Sequence, residues 1–409
     1  MADMTPIEKK NIAAKKKDLN KLLGAINTKA GKNIVNFISD PATREKLTIK
    51  YIPFVSLRLN AMCSGLPKGK VSIVSGMPDS GKTSLILETI GKAMKEDPNF
   101  VAFWLESEGS LEISSLVEMH GIDPERFIYV ELDKDGAAEK ALDILEAVIG
   151  AGGIDIAVIN SMKCLTPKKE ISDSMEDQNI GLQARLNSKF MRKIVPLIAE
   201  QETALCLTQH LTTQIGVLHG DPMVLAGGQA IRYASMLTLD LRKKTIQASD
   251  PISKEEGLKI GAYIAKNHCN QTRYPYLRAD YFIKFGEGTQ VISEVIELAK
   301  EMGILQGSAW ISEIDPETGE ARVLPNGDVA KWNGMNKTKA YLEANKDYYD
   351  YLVNLVMGNK ITLETMDEEE VKKAQADNSI NTEDAELLDE LLAQGEEEVK
   401  KKTKAKKKK

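Results

Sequence analysis

The sequence predicts an α/β protein: a mainly parallel sheet covered by helices on both faces, then a smaller α/β domain and a charged tail. Three observations predict this. Short β-rich runs recur at residues 71–75, 100–105, 154–159, 204–208, 237–241 and 260–265. Between the first four lie helical stretches, 83–95, 137–149 and 182–200, with apolar residues three and four apart, as in Leu182, Leu186, Phe190, Ile194 and Leu197. The first four β runs are mainly apolar and separated by helices, the pattern of parallel strands buried on both faces by crossover helices.

The elements follow in chain order. In residues 1–45, Lys9, Lys10, Lys15, Lys16, Lys17 and Lys21 interleave with Ile12, Leu19, Leu22, Leu23 and Ile26, giving a basic helix with one apolar stripe that ends at the breaker Gly31. Such a stripe must pack on its own body or on a neighbouring subunit. The sheet and its helices occupy 46–288. After Gly286-Glu287-Gly288 the pattern changes to a helix over 291–302, a region from Trp310 to Trp332 with two turn-rich breaks, and a helix near 337–357. These make a second domain over 289–360, with Trp310 and Trp332 expected in its core. There is no internal repeat.

Charge is segregated. Residues 364–398 hold 14 carboxylates against Lys372 and Lys373, a balance of −12, whereas the last eleven residues hold eight lysines and no acid. The formal net charge of −6 therefore hides a near-neutral body. An acidic run with few aromatics, closed by a lysine block, reads as a disordered solvated tail over 361–409. The 409 residues, 42% of them hydrophobic, suffice for more than one core, and no uninterrupted apolar stretch reaches the roughly 20 residues that span a bilayer. Met1 to Met4 form no basic-then-apolar leader, and Cys63, Cys164, Cys206 and Cys269 are scattered without a C-x-x-C pair. The expectation is a reducing compartment, with neither a disulfide scaffold nor a zinc ribbon.

The strongest motif is Gly76-Met77-Pro78-Asp79-Ser80-Gly81-Lys82-Thr83, which matches G-x-x-x-x-G-K-[ST] between a predicted strand and a predicted helix. Glycines there let consecutive backbone N–H groups turn toward phosphate oxygens, and the helix N-terminus adds the positive end of its dipole. Lys82 would reach the β- and γ-phosphates of a nucleotide, and the Thr83 hydroxyl would take Mg²⁺. Ligands of open α/β sheets sit at the carboxyl ends of the strands. Three such ends carry polar residues: Glu106-Ser107-Glu108, Asn160-Ser161 and Gln209-His210. Glu108 is the candidate to polarise an attacking water and Gln209 the amide to sense the γ-phosphate. Asn160 stands where an Asp usually meets Mg²⁺ or its water shell. His210 and His219 lack the partner spacing of metal ligands and read as loop polarity.

Further segments carry a resemblance. Gly65-Leu66-Pro67-Lys68-Gly69 leads into the phosphate loop, and Leu165-Thr166-Pro167-Lys168 follows the third strand. Then come Ile180 to Arg185, Met191-Arg192-Lys193, Ile215-Gly216-Val217, Gly220-Asp221-Pro222, Ala226 to Ala230, Lys266-Asn267 and Phe285 to Gly288. Over roughly residues 10–350, in this order and spacing, the chain resembles the bacterial RecA recombinase family, as a divergent member of bacterial or phage origin.

The resemblance implies a RecA-type P-loop ATPase core with ATP and Mg²⁺ as cofactors. It implies a helical homo-oligomer on single-stranded DNA that pairs and exchanges strands with homologous double-stranded DNA in the cytoplasm, with no membrane partner. Lys82 and Thr83 match the ATP and Mg²⁺ ligands, Glu108 the catalytic glutamate, and Gln209 the link from γ-phosphate to the second DNA loop. Lys266 matches a lysine given in trans to the neighbour's ATP. Arg185 and Arg192 match DNA-phosphate contacts, Ile180 and Ile215 the wedges between base triplets, and Gly227 and Gly228 the hinge of the second DNA loop. The N-terminal helix matches the arm that docks on the adjacent subunit, and the small domain the one that receives duplex.

The departures are Asn160 for Asp, His268 for a second trans lysine with Arg273 as its candidate substitute, no adenine-stacking tyrosine near Ser115, and few cations in the second DNA loop. Two rival readings share the core: a hexameric helicase or clamp-type ATPase, and an ATP-binding scaffold that coats DNA with little hydrolysis.

Overall fold

The computed structural model describes residues 6–31, 34–109, 111–112, 114–131, 138–172, 181–213, 223–225, 229–247, 250–269, 277–314, 319–324, 327–358 and 364–365. The chain divides into two units, Met1–Lys50 and Tyr51–Lys409. In the first, α1 (Pro6–Ala30) ends at Gly31, whose φ of +62° suits a residue without a Cβ. Asn27 then turns the chain back: its Oδ1 accepts the N–H groups of Ile34 and Val35, and its Nδ2 donates to the Val35 carbonyl, each at 2.9 Å. Ile12, Leu19, Leu22 and Ile26 of the apolar stripe are exposed.

The second unit is built on one large sheet. Its strands are β1 (Val71–Gly76), β2 (Ala102–Glu106), β3 (Phe127–Glu131), β4 (Ile156–Asn160), β5 (Ala204–Thr213), β6 (Ser235–Lys244), β7 (Gly257–Asn267), β8 (Leu277–Lys284) and β9 (Gly288–Thr289). Their order is β9-β8-β7-β6-β1-β5-β4-β2-β3, parallel from β6 to β3 and antiparallel from β6 to β9. Helices α2 (Leu57–Cys63) and α3 (Lys82–Glu96) cover one face, packing Leu59, Met62, Leu85, Ile86 and Ile90 on Val74, Trp104, Val158, Cys206 and Leu239. Helices α4 (Ala138–Ala151), α5 (Leu182–Gln201) and α6 (Gln229–Ala234) cover the other, with Leu145, Phe190, Ile194 and Ile231 on Ile73, Phe103, Ile159 and Leu207. Burying each Leu or Ile there is worth about 1.5–3 kcal/mol.

Three strands of this sheet lacked a predicted counterpart, β3, β8 and the two-residue β9. β3 lies at the sheet edge, where Ile128 and Tyr129 stay exposed; its short apolar run Phe127 to Val130 was passed over. β8 alternates Leu277, Ala279, Tyr281 and Ile283 inward with Arg278 and Asp280 between them, the period of an antiparallel strand with one face outside the core.

The small domain holds α7 (Val291–Glu301), the sheet β10 (Leu305–Gln306), β11 (Trp310–Glu313) and β12 (Lys331–Asn333), then α8 (Gly334–Ala344) and α9 (Lys346–Gly358). The single helix expected near 337–357 is two. Asn345 breaks it, leaving helical angles at φ −124° and ψ 76° while both its N–H and its Nδ2 bond the Tyr341 carbonyl. Trp332 is core, 5.0 Å from the Tyr341 ring centroid, but Trp310 is 54% exposed beneath Lys331 and does not join it. Within the segment expected to be a tail, β13 (Glu364–Thr365) pairs with Arg278 and Leu277 on β8, and the residues after Thr365 lie outside the described ones. Among the described residues, no helix is long and apolar enough to cross a membrane.

Candidate nucleotide-binding site

The phosphate loop joins β1 to α3 at the carboxyl edge of the sheet. Gly76 has no room for a side chain: a Cβ there would stand 2.4 Å from Ser80 Oγ and 2.5 Å from the Leu241 carbonyl oxygen. Met77, Pro78 and Asp79 form the exposed crown of the loop, Ser80 is buried with its Oγ unpaired, and Gly81 enters the helix at φ +83°. The first amides of α3 thus face a concave loop, as an anion requires. Lys82 is 7% exposed, and its Nζ donates to the carbonyls of Gly76 at 3.1 Å and Met77 at 2.9 Å. Burial lowers its pKa below that of a free lysine, while Glu108, Asp79 and Asp240 pull it back up. Thr83 follows, half-buried, in the first turn.

Glu108 stands just beyond the end of β2. Ser107 fixes this corner: its N–H donates to the Asn160 carbonyl at 2.7 Å, and its Oγ donates to that of Ser161 at 2.9 Å. The Glu108 N–H donates to Glu106 Oε1 at 2.7 Å, and the Glu108 carboxylate lies 2.9 Å from His210 Nε2. Glu106 is fully buried and also accepts from Trp104 Nε1 at 2.9 Å and Asn160 Nδ2 at 3.0 Å. Asn160, 1% exposed, completes the chain by accepting from Thr208 Oγ1 at 2.6 Å.

Strand register separates the two residues at the end of β5. Gly76 is level with His210 and Ser75 with Gln209. Cys206 belongs to the α3 side of the sheet, Leu205 and Leu207 to the opposite side. Side chains alternate along a strand, so His210 faces the phosphate loop and Gln209 faces away. Gln209 is 1% exposed with neither amide atom hydrogen-bonded. Sequence reasoning passed over His210 as loop polarity, because which of two adjacent residues meets the nucleotide side depends on pairing. Asp240 of β6, level with Ser75, was also missed; it is bound by Arg242 at 2.7 Å, and burial raises its pKa.

Lys266 lies apart from this edge. Lys266 pairs with Thr238, itself level with Ile73, three residues before Gly76 or about 10 Å along the strand. Its Nζ donates to the Arg232 carbonyl at 2.8 Å, so within one chain it does not meet Lys82 or Glu108. Arg185 and Arg192 are exposed on α5, seven residues or about two turns apart and hence on one side of it. Ile180, Ile215, Gly227 and Gly228, with His219 and Arg273, lie outside the described residues.

A glycine-flanked loop between a central strand and a helix, with a buried lysine and an acid three strands along the sheet, defines a nucleotide-binding protein of the P-loop α/β class. Comparison with known proteins narrows the class to one family. Residues 17–290 match the RecA N-terminal domain. The chain is 31% identical over 310 residues to Protein RecA of Clostridioides difficile, covering 75% of this chain and 85% of that one. It is 29% identical over 343 residues to Protein RecA of Aquifex aeolicus, covering 83% and 92%. With Protein RecA of Campylobacter fetus the identity is 31% over 367 residues, covering 88% and 98%. The chain belongs to the RecA family.

Proposed function

We propose that this chain is a DNA-dependent ATPase that assembles along single-stranded DNA and promotes pairing and strand exchange with homologous duplex. The observation that carries this reading is the approach of Glu108 and His210 to the edge that bears Lys82. It supplies an acid for hydrolysis beside a lysine for phosphates, in a chain whose relatives bear the RecA name over most of their length.

The residues fit ATP and Mg²⁺. Gly76 leaves a cradle that a Cβ would fill, and Lys82 is held by loop carbonyls it can exchange for phosphate oxygens. In this reading Gly76 to Thr83 hold the phosphates, Thr83 takes Mg²⁺ through its hydroxyl, and Asn160 with Glu106 backs the ion's water shell. Mg²⁺ supplies charge neutralisation on the phosphates. Glu108 orients water and accepts its proton. Gln209, turned to the far face with its amide unpaired, is suited to carry the state of the edge to the segment that follows β5. Lys266 serves the site of the next subunit, Arg185 and Arg192 take DNA phosphates, and the exposed stripe of α1 docks on a neighbouring copy. The relatives favour this reading over a ring-forming helicase.

The test is phosphate release with and without single-stranded DNA, followed by three-strand exchange with the protein alone, ATP and Mg²⁺. DNA-stimulated release and joint-molecule formation are expected. DNA-independent release, or closed rings in electron micrographs, overturns the reading.

A further inference from the structure

A second set of buried polar side chains lies where the large sheet passes into the small domain: Glu88 of α3, Tyr281 of β8 and Glu294 of α7. Glu88 stands six residues, or about 9 Å, along α3 from Lys82. It accepts the Thr289 N–H at 2.9 Å and the Thr289 hydroxyl as well. Thr289 ends β9, two residues before α7 begins. Gly288 makes the approach possible, since a Cβ there would stand 2.5 Å from Glu88 Oε1.

We infer that Glu88 is a positioning residue that fastens the phosphate-loop helix to the small domain, so that nucleotide at the loop and the placement of that domain bias one another. The inference rests on the reading of Gly76 to Thr83 as the nucleotide cradle.

The contacts run from one region to the other without a gap. Beside Thr289, Gln290 is tied twice: its N–H donates to the Phe282 carbonyl of β8 at 2.9 Å, and its Oε1 accepts Lys339 Nζ of α8 at 2.6 Å. Glu294, one turn into α7, accepts the Ser56 hydroxyl at 2.7 Å and the N–H groups of Leu57 and Arg58 at 3.1 and 3.0 Å, where α2 starts. The entry to α7 is thus held by α3 through Glu88, and its first turn by α2 through Glu294. A carboxyl that takes two donors from one residue carries any shift of its own helix to that residue.

Coupling between two sites needs a second arrangement. Tyr281 supplies the donor for one. Its ring is fully buried, and its hydroxyl has no hydrogen-bond partner among the described residues. Burial raises the pKa of this hydroxyl, and Glu88 and Glu294 add to the rise, so it lies in the field of both carboxyls. An unpaired buried hydroxyl costs stability that is recovered once it donates. While Thr289 occupies Glu88 the hydroxyl goes without; when α3 shifts, it takes the place of a Thr289 donor. Lys82 is the trigger, because the Gly76 and Met77 carbonyls that hold its Nζ give way to phosphate oxygens and the start of α3 moves with it.

The experiment is hydrogen–deuterium exchange on the full chain with and without a non-hydrolysable ATP analogue and Mg²⁺, for the parent, Glu88→Ala, Tyr281→Phe and Thr289→Val, with the affinity for the same analogue measured by titration. In the parent the analogue should protect residues 76–83 and change exchange in α7 and α8, outside the cradle, by about threefold or more. Glu88→Ala should keep the protection of the loop and lose the response of α7 and α8. A purely structural role for Glu88 would alter their exchange equally with and without the analogue. Tyr281→Phe removes the donor of the second arrangement and should weaken binding by about three- to tenfold, whereas Thr289→Val weakens the first arrangement and should tighten it. Should Glu88→Ala fail to fold, the other two variants decide by the opposite signs of their shifts. If the loop itself gains no protection in the parent, the cradle reading fails. If the loop is protected but α7 and α8 do not respond, or respond equally in Glu88→Ala, or the two affinity shifts share one sign, the coupling is refuted while the cradle stands.

Discussion

Asn160 and Glu106 form a buried amide–carboxylate pair, with Asn160 Nδ2 donating to both Glu106 oxygens at 3.0 and 3.3 Å. The amide suits this place because Asn160 Nδ2 donates to Glu106 while its Oδ1 accepts from Thr208 Oγ1. An aspartate at 160 would set two carboxylates side by side where water does not reach.

Asn160→Asp is therefore expected to destabilise the chain by about 2 kcal/mol or more at neutral pH, because one carboxyl must bind a proton or lose its partner. The cost should shrink as pH falls and the shared site becomes singly protonated. Urea denaturation of parent and variant at pH 5.5 and 8 tests this; an equal loss at both pH values speaks against repulsion.

Gly76→Ala should open the loop. The added methyl meets the Leu241 carbonyl, which is locked in the sheet, as well as the movable Ser80 hydroxyl. A loss of about 1–3 kcal/mol in stability is expected, with nucleotide affinity reduced further because the amides no longer converge. Thermal denaturation and titration with a fluorescent ATP analogue read the two effects separately.

Lys82→Ala should leave the fold intact and weaken ATP binding by on the order of 100-fold, since a point charge on phosphates is lost from a position outside the hydrophobic core. Calorimetric titration checks it. Parental affinity in the variant would show that the loop amides alone hold the nucleotide.

Lys266→Ala should spare nucleotide binding by free protomers and reduce hydrolysis on DNA by about tenfold or more. The prediction follows from the proposed role of Lys266 across subunits and from its placement about 10 Å along the sheet from its own loop. Equal losses with and without DNA would count against a role across subunits.

Glu297 gives a pH-dependent stability. Burial raises its pKa to about 7; Arg58 opposes this and Glu301, Glu294 and Asp250 add to it. A carboxyl raised in the folded state contributes stability below the unfolded value near 4.5, and that contribution is lost as pH rises through about 7. Glu297→Gln should thus gain on the parent between pH 4.5 and 8, by about 1–2 kcal/mol after allowance for solvent screening. Denaturation curves at pH 5 and 8 show whether the gap widens.

Much of this protein was legible in order along the chain. The runs at 71–75, 154–159 and 204–208 became central strands because a parallel strand buried on both faces is mostly apolar, broken here only by Ser72, Ser75, Asp155 and Thr208. The phosphate loop was legible for a related reason: each of its residues serves a local turn, and local turns are written in consecutive positions. The helix near 337–357 misled because Asn345 breaks it through its own carbonyl and amide bonds, which hydrophobic spacing does not register.

What the sequence alone determined is therefore whatever depends on neighbours in the chain: strand and helix identity, the loop that cradles phosphate, the charge of the C-terminal run and membership in a recognisable family pattern. The tertiary structure decided what depends on neighbours in space. It turned His210 rather than Gln209 toward Glu108, paired Asn160 with Glu106, sent Trp310 outward and Trp332 inward, and set Lys266 apart from its own loop. The physical reason is that adjacent residues of a strand point to opposite faces. A shift of one position in register leaves every local propensity unchanged while exchanging which side chain reaches the site.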